Sequence, residues 1–297
     1  MPLVSHRLLA AGITACALLA TACGADDAAN HDNHDTAGAG SPQAIVSLSP
    51  VSTEMLYAVG AGDQVIAVDD QSDHPAGVPV TDLSGYTPNV EAILGYEPDL
   101  VVANADTADL VAGLEQAGVE TLILPAALTL DDTYAQLEQV GAATGHVADA
   151  AELVAQMRSE VDEILAGLPE RQVPLRYYHE LDNTYYSVTD DTYIGEIFSM
   201  LGLTSIATGG NGYPQLSAEF ILEENPDIVF LADGQCCGVT PENVAERAGW
   251  GELTAVRDGH VYVLDEDIAS RWGPRVVDLM RDVARIVTGI PAAQPAS

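Results

Sequence analysis

The sequence predicts an α/β protein of two Rossmann-like lobes with parallel sheets, joined by one long α-helix, with a ligand cleft between the lobes. Three observations predict this fold. The chain of 297 residues contains an internal repeat, its buried strand patterns alternate with helix patterns, and its middle holds one long helical pattern. A chain of this length divides naturally into two lobes of about 120 residues each.

The internal repeat has two copies that lie 128 residues apart, at residues 90–102 and 218–230. Glutamate, isoleucine, leucine, proline and aspartate recur in register between them. Each copy predicts a short helix that ends before a Pro-Asp pair and is followed by a buried strand. A second matched pair, residues 54–60 and 196–202, predicts one amphipathic helix per lobe that ends at a glycine.

Seven apolar runs predict the strands of the two sheets, and the helical patterns between them favour parallel pairing. The predicted strands are 45–49, 65–68, 100–103 and 121–124 in the first lobe, and 175–179, 227–232 and 260–264 in the second.

One helical pattern separates the two sets of strands. Its apolar residues recur at helical spacing, and neither glycine nor proline interrupts it. We therefore predict a first lobe at residues 43–145, a connecting helix about 30 Å long at 146–168 and a second lobe at 169–288. Because one helix is stiffer than flexible crossover strands, we expect ligand binding to close the cleft only slightly.

The predicted cleft follows from the parallel sheets, since ligands of open α/β sheets bind beyond the carboxyl ends of the strands. Tyr86 and Tyr213 belong to equivalent loops, so they are expected to face one another across it. Glu91 and Glu219 occupy matching positions, one in each lobe. A symmetric pair of surface glutamates suits a partner with two-fold pseudo-symmetry.

The first 22 residues are typical of an export signal. Arg7 supplies the positive charge, and residues 8–20 form an apolar run that is too short to span a bilayer comfortably. Small residues precede Cys23, which resembles a bacterial lipobox and predicts a lipid on that cysteine. The alternative is an ordinary secretory signal with an incidental cysteine. With the lipid, the protein is exported and anchored to the outer face of a bacterial cell membrane.

Both ends of the mature chain have compositions typical of flexible segments. Residues 23–42 are rich in Asp, Ala, Gly, Asn and Ser and predict a flexible acidic tether, and residues 289–297 predict a disordered tail. The body offers no other apolar run long enough to span a membrane.

The charge balance is strongly acidic, with 45 acidic residues against 10 basic ones and a net charge of −35. Nucleic acid and anionic membrane surfaces require clustered positive charge, so both are excluded as partners. Hydrophobic residues make up 47% of the chain, which excludes a disordered acidic polymer. The acidity is interpreted as a solvated surface suited to salty surroundings, or alternatively as a surface for a cationic partner.

Two cysteines of the body, Cys236 and Cys237, are adjacent. A structural zinc site would need more ligands at suitable spacing, so no metal site is predicted. In an exported protein this pair forms either a vicinal disulfide or two free thiols.

Several motifs along the body match one known family. They are Ile45-Val46-Ser47-Leu48-Ser49-Pro50 with Thr53-Glu54, Val68-Asp69-Asp70-Gln71-Ser72-Asp73-His74-Pro75, Asn89-Val90-Glu91 through Pro98-Asp99-Leu100-Val101, and Ser270-Arg271-Trp272-Gly273-Pro274-Arg275. On these motifs, residues 43–288 resemble the substrate-binding proteins of ATP-driven importers for vitamin B12, ferric siderophores and haem. The resemblance implies a monomeric receptor without a cofactor that delivers a small ligand to a permease dimer.

In that family, one glutamate per lobe docks into arginine pockets of the permease, and the resemblance carries this role to Glu91 and Glu219. The alternative is two solvated glutamates favoured by the dipoles of their helices. The cleft positions implied by the same resemblance are Gln71, Tyr86, Asn104, Tyr186, Tyr213, Asp267 and Arg271.

The cleft residues favour an iron chelate, with a ferric siderophore as the first expectation. Gln71 and Asn104 stand where aromatic residues would help to grip a corrin, which argues against vitamin B12. Arg271 is suited to clamp a carboxylate or a catecholate oxygen, although a structural ion pair is the alternative. Cobalamin and haem remain alternatives with the same fold.

An aromatic cluster follows the first strand of the second lobe. Alternation places Tyr178 and Glu180 on one face and Tyr177 and His179 on the other, so one pair is expected to line the cleft and the other the core. A tyrosine or histidine here is the candidate axial ligand if the ligand is haem. Trp272 either stacks on a planar ligand or packs internally.

Other functional classes have weaker support. The chain lacks a Gly-x-Ser-x-Gly elbow and a Walker loop, so an enzyme is not predicted. A manganese or zinc receptor would need a histidine-rich ligand set, and the histidines of the body are scattered. The third alternative is an envelope lipoprotein with a structural or sensing role.

Overall fold

The computed structural model describes residues 40–291 and contains two four-stranded parallel sheets. The first has the order β2-β1-β3-β4 and the second the order β6-β5-β7-β8, so corresponding strands take corresponding places in the two lobes. The strands are β1 (Ile45–Ser47), β2 (Val65–Val68), β3 (Leu100–Ala103), β4 (Glu120–Ile123), β5 (Leu175–Glu180), β6 (Leu203–Ser205), β7 (Ile228–Leu231) and β8 (Val261–Val263).

Helices connect the strands and cover the sheets. They are α1 (Pro50–Ala58), α2 (Val90–Leu94), α3 (Leu110–Gln116), α4 (Leu130–Thr144), α5 (Val147–Ala166), α6 (Tyr193–Met200), α7 (Ala218–Glu224), α8 (Gly234–Cys237), α9 (Pro241–Ala245), α10 (Thr254–Arg257), α11 (Glu266–Ser270) and α12 (Val276–Gly289).

The predicted fold class is confirmed, and the seven predicted strands correspond to β1–β5, β7 and β8 with ends that differ by at most two residues. The sequence prediction missed β6. This strand has only three residues and directly follows Gly202, so it carries no alternating pattern long enough to recognise.

The predicted connecting helix is α5, which has 20 residues. Gly145, in the left-handed conformation, ends α4, and His146 alone separates it from the start of α5. The apolar face of α5 packs between α4 and α12. Helix α12 therefore reinforces the link between the lobes.

A single hydrophobic core runs through both lobes and α5. It joins one face of each sheet to Ala150, Val154, Met157 and Val161 of α5 and to the buried residues of α12. The opposite face of each sheet packs against a smaller cluster of its own lobe. Because the main core is continuous, the two lobes are packed together as well as linked along the chain.

The folded body reaches beyond the predicted end of the second lobe at residue 288. The guanidinium of Arg171 donates hydrogen bonds to the carbonyl oxygens of Val287, at 2.7 Å, and Pro291, at 3.3 Å. The predicted signal peptide, Cys23, most of the tether and the remaining tail residues lie outside the described residues.

Among residues 40–291, the helices are all too short or too polar to cross a bilayer.

Candidate functional site

The loops that follow the strands carry the candidate site, because the carboxyl ends of parallel strands lie at one edge of each sheet. A pocket of about 340 Å³ opens where these loops from the two lobes meet. Leu128, from the loop after β4, lines it on one side, and Asp191, Asn211 and Tyr213 line it on the other. A larger pocket of about 610 Å³ lies along edge strand β8 and α12, and none of the predicted binding residues lines it.

Three of the predicted binding residues are exposed tyrosines on these loops. The exposed fraction is 79% for Tyr86, 41% for Tyr186 and 53% for Tyr213. The segments that carry Tyr186 and Tyr213 are paired, since the amide of Ser187 donates to the carbonyl oxygen of Pro214 at 3.0 Å. Exposed aromatic rings grouped at the strand ends are typical of a binding surface.

The loop that carries Tyr86 is fixed by a close backbone contact. Gly85 lies against the carbonyl oxygen of Leu48, and a side chain at this position would overlap that oxygen. The contact holds the loop against the end of β1, which explains why glycine precedes this tyrosine. Gln71 and Asn104, the other two predicted residues of the first lobe, follow β2 and β3 and are exposed and half-buried, respectively.

Arg271 is engaged in a network of ion pairs. Its guanidinium donates hydrogen bonds to Glu54 at 2.9 Å, to Asp73 at 3.1 Å and to Asp267 at 2.7 Å. Arg275 also donates to Glu54, at 2.9 and 2.5 Å. This is the structural ion pair that was the alternative for Arg271. The clamp for an anionic ligand is therefore not supported, because three carboxylates already neutralise this guanidinium.

The network joins the two lobes. Glu54 lies on α1 of the first lobe with a side chain that is 2% exposed, whereas both arginines follow α11 and lead into α12. The sequence prediction missed Glu54 and Arg275 as interlobe residues, although both fall within the motifs. A second interlobe contact is formed by the hydroxyls of Thr133 and Tyr193, at 3.0 Å.

Both faces of β5 are covered. Tyr177 and His179 face the shared core, as alternation predicted, but Tyr178 and Glu180 are buried as well. The ring of Tyr178 lies edge-on against Trp250, with centroids 5.9 Å apart. The expectation that one pair forms an open wall of the cleft is not supported by these positions.

His179 and Trp272 have internal positions too. Burial lowers the pKa of His179 to about 4, so its imidazole is neutral at physiological pH. Its ring packs near that of Phe198 and is fully enclosed, which does not favour a haem ligand. The indole of Trp272 donates to the side-chain oxygen of Gln136 at 3.2 Å and packs against the shared core.

Glu180 forms a buried ion pair that the sequence prediction missed. Its two oxygens accept hydrogen bonds from the guanidinium of Arg247 at 2.5 and 2.6 Å. Arg247 follows α9, 67 residues along the chain, and nothing in its local sequence indicates this partner.

Cys236 and Cys237 lie in α8, in the loop after β7, and their sulfurs are bonded to one another. One carboxylate oxygen of Glu266 accepts hydrogen bonds from the amides of Gln235 and Cys236, at 2.5 and 2.8 Å. This contact ties the loop after β7 to α11. Within residues 40–291, no group of three or more histidine, cysteine or acidic side chains is placed to hold a metal ion.

Glu91 and Glu219 have matching local structures. Each is the second residue of a short helix, α2 or α7, and both side chains are exposed. The side chain before each helix caps it, since Asn89 accepts from the amide of Ala92 and Ser217 accepts from the amide of Phe220, both at 3.1 Å. The repeat thus places one exposed carboxylate at the same point of each lobe.

Comparison with known proteins finds one matching family model and several relatives of similar sequence. A family model described as periplasmic binding protein matches residues 45–268. An uncharacterized ABC transporter substrate-binding lipoprotein of Bacillus subtilis, YvrC, is 30% identical, and the match covers 88% of this chain and 84% of the relative. A cobalamin-binding protein of Halobacterium salinarum is also 30% identical, with 82% and 69% of the two chains covered.

Solved structures share the fold. A crystal structure from Staphylococcus epidermidis, described as a possible iron-binding (periplasmic solute-binding) protein, has a TM-score of 0.73 and 25% sequence identity. The match covers 83% of this chain and 99% of that one.

Proposed function

The chain belongs to the periplasmic binding protein family, and from that premise we propose that it captures a cobalamin in the interlobe cleft and delivers it to the permease of an ABC importer. The observation that carries the proposal is the set of exposed tyrosines on strand-end loops of both lobes. Flat, partly apolar rings on both lobes suit a large macrocycle, because each ring contributes contact area at small entropic cost. The cobalamin-binding relative of Halobacterium salinarum supports this choice.

The charges of the cleft support cobalamin over an anionic iron chelate. Arg271 is the predicted anion clamp, and its guanidinium already contacts the carboxylates of Glu54, Asp73 and Asp267. A further anion near this guanidinium would be repelled by these three carboxylates. Cyanocobalamin carries no net charge and needs no such partner.

An iron chelate without net negative charge is the second candidate. Gln71 and Asn104 favour it, because these polar side chains occupy strand ends where aromatic rings would extend a corrin site. Amide groups can donate to and accept from the polar rim of a chelate. The Staphylococcus epidermidis structure described as iron-binding has the same fold.

The two candidates are separated by thermal unfolding of the purified protein with cyanocobalamin, a neutral ferric hydroxamate siderophore and haemin. A ligand at 100 times its dissociation constant should add about 2.7 kcal/mol to the free energy of unfolding. We expect the shift with cyanocobalamin. A shift with the siderophore alone would select the second candidate, and the absence of any shift would contradict the proposed ligand class.

Replacing Tyr213 with alanine is expected to raise the dissociation constant for cyanocobalamin by a factor of about 5–30, the equivalent of about 1–2 kcal/mol for one lost aromatic contact. Isothermal titration calorimetry measures the change. Tyr213→Phe keeps the ring and should bind like the wild type. Tyr96→Ala is the matched control, because Tyr96 is also exposed but precedes β3, at the opposite edge of the sheet. Equal binding by Tyr213→Ala and wild type would remove Tyr213 from the site.

We also propose that the lipid on Cys23 holds the protein on the outer face of the cell membrane. The Bacillus subtilis relative is named a lipoprotein, which supports this anchor. Cys23→Ala should release the protein into the soluble fraction, because the body has no apolar helix of sufficient length among its described residues. Fractionation of cells followed by immunoblotting tests the change, with Cys236→Ala as a control that should stay in the membrane fraction. A Cys23→Ala variant that remains with the membrane would contradict the anchor.

A further inference from the structure

A buried charged cluster lies in the second lobe and takes no part in the proposed function. It consists of Glu180 at the end of β5, Asp233 two residues after β7, and Arg247 after α9. The two acidic side chains are fully buried. Glu180 uses both oxygens to accept from Arg247, at 2.5 and 2.6 Å.

Asp233 lacks the hydrogen bonds that a buried carboxylate needs. Neither of its side-chain oxygens has a partner among the described residues. Burial, followed by the negative charge of Glu180, raises the pKa of Asp233 to about 7. A proton on Asp233 would turn it into a donor towards Glu180 and so remove both the missing hydrogen bond and the repulsion between the two carboxylates.

Arg247 links this cluster to two packed aromatic rings of the second lobe. The carbon of its guanidinium lies 4.7 Å from the ring centroid of Trp250 and 5.8 Å from that of Tyr185. The rings of Tyr185 and Trp250 stack with centroids 5.8 Å apart. Cation–π contacts of this kind favour one arrangement of the three side chains.

Tyr185 in turn sets the position of Tyr186. Its backbone has a φ of 68°, in the left-handed region that a tyrosine rarely adopts, so the surrounding contacts have to hold it there. The carbonyl oxygen of Tyr185 accepts from the amide of Leu216, and that of Tyr186 accepts from the amide of Leu181. A shift of the Tyr185 ring would therefore move the exposed ring of Tyr186 and the paired loop that carries Tyr213.

We propose that Arg247 is a positioning residue for the tyrosine loops of the cleft, and that a single proton held between Asp233 and Glu180 controls how firmly it holds them. With the proton in place, Asp233 donates to Glu180, and Glu180 keeps both oxygens on Arg247. When the proton leaves, two buried carboxylates face one guanidinium. Asp233 then competes with Glu180 for Arg247 and draws it away from Trp250 and Tyr185.

The charged and polar groups near the proton shared by Asp233 and Glu180 come from β5, α8 and the residues after α9 and in α11. From β5, Glu180 and the hydroxyl of Tyr178 face the cluster, and Arg247 is its only cation among the described residues. On the side of α8, the disulfide sulfur of Cys236 lies 3.7 Å from the backbone carbonyl oxygen of Asp233. Glu266 of α11 is engaged with the amides of α8.

The direction of the pH dependence follows from the raised pKa of Asp233. An ordinary aspartate in the unfolded chain loses its proton near pH 4, whereas the folded protein keeps it until about pH 7. The stabilisation from Asp233 is therefore complete below about pH 4 and is lost as the pH rises to about 7. Ligand affinity, which depends only on the folded protein, should fall as the pH passes through about 7.

The test compares the wild type with Asp233→Asn, whose side-chain amide donates to Glu180 at every pH. Tryptophan fluorescence from pH 5 to 9 detects movement of Arg247, and Trp272→Phe is introduced into every protein compared so that Trp250 is the reporter. The dissociation constant for cyanocobalamin, whose charge is constant over this range, reports on the tyrosine loops. Asp258→Asn, which removes an exposed carboxylate from the same lobe, is the matched control.

We expect a fluorescence step near pH 7 in the wild type and in Asp258→Asn, and none in Asp233→Asn. Cyanocobalamin should bind the wild type about tenfold more weakly at pH 8.5 than at pH 5.5, an ordinary size for coupling between two sites, and bind Asp233→Asn equally at both. A flat wild-type profile, or a step that persists in Asp233→Asn, would overturn the proposal. If cyanocobalamin fails to bind at all, the proposed function is wrong, and the fluorescence profiles still decide the role of Asp233.

Discussion

Replacement of Glu54 by alanine is expected to lower the free energy of unfolding by about 3–5 kcal/mol, the cost typical of removing one partner of a buried ion pair. The carboxylate is almost completely buried and accepts from both Arg271 and Arg275. Arg271 would keep its contacts with Asp73 and Asp267. Arg275 would lose the carboxylate that accepts its hydrogen bonds in the described structure, and its charge would remain half-buried.

Thermal unfolding measures this effect, and a lowering of the Tm by roughly 10 °C is expected for a body of this size. Asp131→Ala is the matched control, because it breaks the exposed ion pair with Arg158. Such a pair contributes less than about 1 kcal/mol. If Glu54→Ala costs no more than this control, the network does not hold the lobes together in the way that the distances indicate.

The double replacement Glu91→Ala with Glu219→Ala is expected to reduce ligand uptake by a factor of about 100 or more and to leave the dissociation constant for the ligand unchanged. Both carboxylates are exposed, and they occupy equivalent helix positions in the two lobes. A hydrogen bond to a charged group contributes about 1.5–3 kcal/mol, and two distant contacts add approximately.

Uptake of labelled cobalamin by cells that depend on this protein measures the effect, with calorimetry on the purified variant beside it. The control is Glu115→Ala with Glu252→Ala, which also removes one exposed glutamate from each lobe, at α3 and after Trp250. Normal uptake by the double variant would show that these glutamates do not dock to the permease. A higher dissociation constant for the ligand would instead place Glu91 or Glu219 at the ligand site.

The arrangement of the lobes could be predicted from the sequence because it depends on local patterns and on a repeat. Strand patterns, the long helix and the loops with Tyr86 and Tyr213 all follow from spacing along the chain. Parallel pairing then fixes which loops share an edge, so the exposed positions of these tyrosines need no knowledge of tertiary contacts.

The state of the charged residues could not be predicted in this way. The partner of Arg271 on α1 lies 217 residues away, and no spacing rule indicates that a carboxylate will arrive there. Alternation along β5 showed which side chains share a face, but it could not show that both faces are covered by packed side chains. The exposed or paired state of a polar residue depends on the whole fold, whereas its position at a strand end depends on the local pattern alone.

The reinforced helical link between the lobes has a consequence for import. Because α5, α12 and the Glu54 network restrain the lobes, we expect an empty receptor and a filled one to present Glu91 and Glu219 at nearly the same separation. If both glutamates dock to the permease, the permease cannot distinguish ligand-free from ligand-bound receptor by their separation. Ligand-free receptor would then compete with ligand-bound receptor for the permease. The rate of import would then depend on the fraction of receptor molecules that have ligand bound. Synthesis of more receptor at a constant ligand concentration would slow import.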